Sequence, residues 1–214
     1  MKILFELRTA LDVKNSLVPV SVGEKRLNQY IKGIGLIVDK LFNHQDKSKF
    51  DVVLVDNTLV NKDYIPPEIL DIIPENCFFY VKEKNDYGIY NKGAGDIELW
   101  NDYSEIMSNY DYFFHYEPRL ELISFDFIQS FLDNPRNYFC LAGSNQVKTG
   151  YFGAKVKDFK EFCQSIDIEY MVSHSISIEY IMFDFFKKKE TEFIDQKNVY
   201  CMWHDSVADT YKPY

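Results

Sequence analysis

Asp51-Val52-Val53-Leu54-Val55-Asp56-Asn57-Thr58 is the stretch that decides the fold. Its apolar centre shows no alternation. A half-solvated strand alternates; a strand buried on both faces does not, and strands of that kind belong to parallel sheets covered by helices. The run stops at Asp56-Asn57-Thr58, side chains that suit the turn after a strand.

Reading outward, the same pattern recurs. Ile3-Leu4-Phe5-Glu6-Leu7 predicts a buried strand, as do Cys77 to Val81 and Tyr112 to Tyr116. Between them, Leu27, Tyr30, Ile31, Ile34, Ile37, Val38 and Leu41 recur at helical spacing and predict a long helix from Gly23 to Asn43, weakened locally by Gly33 and Gly35. Pro66 and Pro67 open a short helix through Ile72. A helix is predicted over Asp96 to Met107, after a Gly-rich turn at Asn91-Lys92-Gly93-Ala94-Gly95 with Asp96 as a possible N-cap, and another over Ser124 to Leu132, stopping before Pro135. Alternating strands and helices imply a single α/β domain over residues 1–214, with a mainly parallel central sheet flanked by helices.

In such sheets ligands bind beyond the carboxyl ends of the strands. Those ends read Arg8-Thr9, Asp56-Asn57, Lys84-Asn85-Asp86 and Glu117-Pro118-Arg119, all polar and rich in charge. Ordinary strand-to-loop chemistry favours some of the same residues.

Composition limits the partners. The chain has 214 residues, a net charge of -9, and an aromatic share of 17% that includes 16 Tyr and 18 Phe. That charge repels nucleic-acid backbone and argues against DNA or RNA. It also repels a nucleotide diphosphate, so such a ligand needs a metal cation or a local Lys/Arg cluster. Cys77, Cys140, Cys163 and Cys201 are widely spaced without a C-x-x-C pair, which predicts buried free thiols. The first apolar stretch is too short for a signal peptide and no run is long enough to span a bilayer, so a cytoplasmic protein is expected.

Five constellations can carry chemistry. Asn91 to Asp96 offers glycines, Lys92 and a helix start to an anion. Glu117-Pro118-Arg119 ends a buried strand with a carboxylate, able to ligate Mg²⁺ or Mn²⁺, and a guanidinium, able to grip phosphate; a structural Glu–Arg pair is the plainer alternative. Gln146 to Phe152, containing Lys148, Thr149 and Gly150, is a loop that can line a sugar pocket or simply turn a hairpin. Glu179 falls in the first turn of a helix beginning near Ser175 or Ser177, where it can cap that helix or act as a base. His204, beside Asp205 in an apparently polar tail, can be a metal ligand or structural.

The order of these pieces resembles GT-A glycosyltransferases. In that family a nucleotide-binding α/β half precedes a metal-binding D-x-D motif; an acceptor half with a catalytic carboxylate follows, often with a late metal-binding His. The size is also similar to small GT-A domains of chlorella viruses that serve capsid glycan synthesis. The resemblance implies a nucleotide-binding half over 1–119 and an acceptor half over 120–214. It implies transfer of a glucose-type hexose from a UDP-sugar to a glycan hydroxyl, assisted by Mn²⁺ or Mg²⁺. Residue by residue, Thr9 and Arg8 touch the nucleotide, Asp56 reads the uracil edge, and Lys92, Gly93, Arg119, Lys148, Thr149 and Gly150 surround the nucleotide-sugar. Glu117 and His204 hold the metal; Glu179 is the base if the reaction inverts configuration and has another role if it retains it, and the sequence leaves both open. Arg119 departs from the pattern, since an Asp is expected there: either fewer side chains hold the metal, or Arg119 replaces it. A non-catalytic GT-A-like binding module is the alternative function. A nucleotidyltransferase is disfavoured, because Arg8-Thr9-Ala10-Leu11-Asp12-Val13 lacks a Gly-rich signature.

Overall fold

The computed structural model describes residues 1–13, 22–195, 199–205 and 210–214, with the backbone alone at 204 and 205. The elements run β1 (Ile3–Thr9), α1 (Gly23–Phe42), β2 (Phe50–Asp56), α2 (Pro67–Leu70), β3 (Phe78–Val81), α3 (Lys92–Asp102), α4 (Ser104–Met107), β4 (Tyr112–Tyr116), β5 (Glu121–Leu122) and α5 (Asp126–Asp133). They continue with β6 (Asn137–Gly143), β7 (Gln146–Val147), β8 (Tyr151–Lys155), α6 (Val156–Ser165), α7 (Ile168–Ser173), α8 (Ile178–Phe186), β9 (Thr191–Asp195), β10 (Cys201–Asp205) and β11 (Thr210–Pro213).

The main sheet has eight strands in the order β3-β2-β1-β4-β8-β6-β7, with β9 also paired to β6. β3, β2, β1 and β4 are mutually parallel; β8 runs against both β4 and β6. The continuous apolar strands of the sequence are thus the parallel block: β1, β2 and β4 are buried on both faces, and β3, at the sheet edge, is half-buried. One core joins Ile3, Phe5, Leu7, Leu54 and Phe114 to α1, α2 and α5. The other joins Leu4, Val53, Val55 and Phe113 to α3, α6, α7 and α8. The alternation of strand residues between the two cores is the period of the pleat. A smaller sheet, β11-β10-β5, lies against α1 through β5.

Two readings of the sequence need correcting here, and one glycine gains an explanation. The Gly-rich run is no loop: α3 starts at Lys92, Asn91 is its N-cap and accepts from the Ala94 N–H at 3.2 Å, and Asp96 lies in the helix. The supposed tail at Cys201 to Asp205 is a strand, because β5 and β11 supply its hydrogen-bond partners. Gly33 has a packing reason to be in α1 whatever its cost to the helix. A Cβ there would lie 1.5 Å from the Pro118 carbonyl oxygen, so glycine is what lets the loop after β4 rest on the helix.

All four cysteines are free and buried. Burial pushes the Cys77 and Cys201 thiols up to about 12, which leaves them unreactive. Among the described residues, no helix is long and apolar enough to cross a membrane.

Candidate active site

A cleft opens at the carboxyl ends of β1 and β4. Parallel pairing sets Glu6 beside His115, and two residues further along the same face come Arg8 and Glu117. Glu6 is fully buried and His115 nearly so, both at positions where the core would otherwise be apolar. Glu6 Oε1 lies 2.6 Å from His115 Nδ1 and accepts from Trp100 Nε1 at 3.3 Å. The His115 ring stacks on Phe152 and meets the edge of Trp100. A buried carboxylate and an aromatic box therefore orient an imidazole that lines the cleft.

Arg8 donates from Nε to Asp96 Oδ1 at 3.2 Å and from Nη2 to Asn57 Oδ1 at 2.9 Å. It is 9% exposed, and its buried Nη1 has no hydrogen-bond partner. Across the cleft, Arg119 donates from Nε to Glu117 Oε1 at 2.7 Å and from Nη2 to the same oxygen. Burial pushes the Glu117 carboxyl up, but Arg119, with Arg26 and His115, outweighs it and holds the group at about 2. Two guanidiniums stand over the Tyr30 ring, Arg26 at 5.5 Å and Arg119 at 5.9 Å from its centroid. The Tyr30 hydroxyl accepts from the Ala10 N–H at 2.9 Å.

Lys92 stands in the first turn of α3 and completes the cationic lining. Although the residue as a whole is exposed, partial loss of water around its ammonium and the nearby Arg119 push it down, while Glu117 pulls it up. Asp96 is shifted up by burial, against the pull of Arg8 and His115.

A second pocket adjoins the first. Lys148, Ser177, Glu179, Trp203 and Tyr214 are among its lining residues. Glu179 sits in the first turn of α8, as its spacing predicts, and accepts from Ser177 Oγ. Thr149 lines the first cleft and donates to Glu179 Oε1 at 3.4 Å, so this one residue links the two pockets.

The structure thus brings Arg8, Lys92, Glu117, Arg119 and Thr149 together around one cleft. Glu179 and Lys148 lie in the second, where Lys148 stands over the Tyr214 ring at 4.6 Å. Other assignments change. Asp56 is fully buried: Oδ1 accepts from the Thr58 and Leu59 N–H groups and from Thr58 Oγ1, and Oδ2 accepts from the Leu11 N–H and Thr9 Oγ1. With both oxygens occupied it ties the loops together and has no free edge for a base. Thr9 is buried with it and its hydroxyl is spent on Asp56 and the Val55 carbonyl. A Cβ on Gly93 would lie 2.6 Å from Ile178 Cβ, so this glycine admits α8 against α3. Gly150 is a junction: its N–H donates to the Tyr214 hydroxyl at 2.9 Å and its carbonyl accepts from the Glu117 N–H at 2.8 Å. The His204 side chain lies outside the described residues.

Sequence reasoning missed Arg26, Tyr30, Asp96 and His115. Arg26 did leave a signal: it stands one turn before Tyr30, on the helix stripe that also carries Gly33, Ile34 and Ile37. A charge on a buried stripe marks a polar site beneath it.

A divalent cation calls for several oxygen ligands. Here Glu117 Oε1 and Asp96 Oδ1 are both engaged by guanidiniums. No group of three His, Cys, Asp or Glu side chains is placed to hold a metal among the described residues. These residues do not fit Mn²⁺ or Mg²⁺; they fit an anion.

No family model matches the chain, and no curated protein matches it. Its fold is similar to that of a proposed nucleotide-diphospho-sugar transferase from Desulfovibrio desulfuricans G20, with a TM-score of 0.53 and 14% identity over 91% of this chain and 80% of the other. A protein from Aquifex aeolicus VF5 superposes with a TM-score of 0.47 at 13% identity, over 91% of this chain and 86% of its own. The comparisons add no support to the likeness to chlorella-virus domains. At these identities the likeness establishes the fold: a mixed α/β domain with a mostly parallel sheet, similar to that of a nucleotide-sugar transferase.

Proposed function

We propose that the chain is a glycosyltransferase that moves a glucose-type hexose from a UDP-sugar to a glycan hydroxyl in the cytoplasm. The observation that carries this reading is the cleft itself. In a chain of net charge -9, Arg8, Arg26, Lys92 and Arg119 converge at the carboxyl ends of parallel strands. The activity named for the Desulfovibrio desulfuricans protein, whose fold is similar, agrees with it.

The two pockets divide the work. Except for Thr149, the described residues lining the cationic cleft fall within 1–119, and those lining the second pocket fall within 120–214. The cleft receives the donor diphosphate. The second pocket, with the Trp203 and Tyr214 rings, receives the acceptor. Glu179 takes the proton of the acceptor hydroxyl; that oxygen bonds to the anomeric carbon, and the carbon–oxygen bond to the diphosphate breaks with its electron pair on the leaving UDP.

Release of UDP from UDP-glucose and other UDP-hexoses, measured with and without a glycan acceptor, tests the reading. The expected result is acceptor-dependent release, falling about a hundredfold or more in Glu179→Gln. A wild-type rate in Glu179→Gln removes Glu179 from the mechanism. The second reading, a binding module without turnover, draws on the replacement of the expected Asp by Arg119; UDP binding without release would favour it.

A further inference from the structure

A diphosphate can be neutralised by a divalent cation or by a cluster of guanidinium and ammonium groups, and the two solutions need opposite side chains. The cleft has four cations and two carboxylates, Asp96 and Glu117, and both carboxylates are already engaged by arginines. Arg8 is more than nine-tenths buried, yet its Nη1 has no partner. A buried donor without an acceptor costs free energy that an incoming anion recovers. Lys92 is exposed and forms no hydrogen bond or ion pair within the range of one to any described residue. The cations also depress one another: burial, then Arg119 and Arg8, push the Arg26 guanidinium down, against Tyr30 and Glu117. An anion between them relieves that repulsion.

We propose that the cleft binds the donor diphosphate without a divalent cation, Arg8, Arg26, Lys92 and Arg119 supplying the counter-charge and Glu117 fixing Arg119 in place of a metal. This rests on the nucleotide-sugar reading above. A guanidinium stays charged throughout the working pH range and its planar fork matches phosphate oxygens. When the bond from the anomeric carbon to the diphosphate oxygen breaks, the electron pair moves onto that oxygen, and these cations balance the charge that develops.

Calorimetric titration of the whole chain with UDP, in EDTA and again with excess Mn²⁺, decides it. The expected dissociation constants agree within about threefold. Binding that requires Mn²⁺ overturns the metal-free site and leaves the nucleotide-sugar reading intact. No binding of UDP or any other nucleoside diphosphate in either condition overturns both. Lys92→Gln, at an exposed position, is expected to keep the wild-type melting temperature and to weaken UDP about tenfold or more in EDTA, the scale of one charged hydrogen bond. Unchanged affinity in both Lys92→Gln and Arg119→Gln overturns the cation cluster. Retention of acceptor-dependent UDP release in EDTA supports it, and loss of release there with recovery in Mn²⁺ overturns it.

Discussion

β2 and β4 flank the same strand, run parallel to it, and each ends beside a carboxylate: Asp56 and Glu117. In sequence the two are alike, an acid closing an apolar run. In the fold they do opposite things. Asp56 is 0% exposed and spends both oxygens on the N–H and hydroxyl groups of two loops. Glu117 has a side chain 27% exposed, lines the cleft, and holds one arginine two residues away. The difference teaches that the position of a charge at a strand end is set by the strand, whereas its role is set by which donors the next loop folds back.

The comparison breaks first, if it breaks, at Asp56. Replacing Asp56 with Ala leaves the Leu11, Thr58 and Leu59 N–H groups without their acceptor in a buried place. The expected loss is about 3–5 kcal/mol by urea denaturation. A loss below about 1 kcal/mol would mean that these donors find other partners and that Asp56 is no structural keystone.

The loop that carries Glu117 is sharpened next by a pair of glycines on one helix. A Cβ on Gly33 would collide with the Pro118 carbonyl, whereas a Cβ on Gly35 meets nothing within 4 Å. Gly33→Ala is expected to destabilise the fold by about 1–3 kcal/mol, the usual cost of overpacking. It should also weaken UDP beyond that, since the displaced loop carries Arg119. Gly35→Ala is expected to stabilise by about 0.5–1 kcal/mol through helix propensity, with unchanged UDP affinity. Equal melting temperatures for the two variants would contradict the contact between α1 and the loop.

These contrasts explain what the sequence made legible. Ile3 to Leu7, Val52 to Val55 and Tyr112 to Tyr116 announce themselves because burial on both faces leaves an unbroken apolar run. The antiparallel side is quieter. β8 begins at Tyr151, inside the polar Gln146 to Phe152 stretch that reads as a loop, and its Gly153 is glycine because a Cβ there would strike the Phe131 ring. β10 becomes a strand only through two short partners, β5 of two residues and β11 of four. The strand ends pointed to Arg8, Glu117 and Arg119, and these three line one cleft. Asp56 and Thr9 misled because internal saturation leaves no mark on the residue type. Asp96 read as a cap because the true cap, Asn91, lies one turn earlier.

The smallest effect tests Glu117 itself. Its folded carboxyl titrates at about 2 against an ordinary 4.5, so the pairing stabilises the charged form in the folded state. That stabilisation is complete above about 4.5 and is lost as pH falls through about 2. Glu117→Gln removes it at every pH. The variant should therefore trail the wild type by a constant amount from pH 8 to pH 5, no more than about 1 kcal/mol for a partly exposed pair. The gap should close as acid protonates the wild-type carboxyl. Asp56→Ala offers the contrast, since its deficit arises from orphaned N–H groups that do not titrate, and part of it should survive in acid. A Glu117→Gln deficit that widens below pH 4.5 would show that Arg119 does not hold the carboxylate in its charged form. The loop would then be kept in place by Gly33 and the backbone bond to Gly150 rather than by the ion pair.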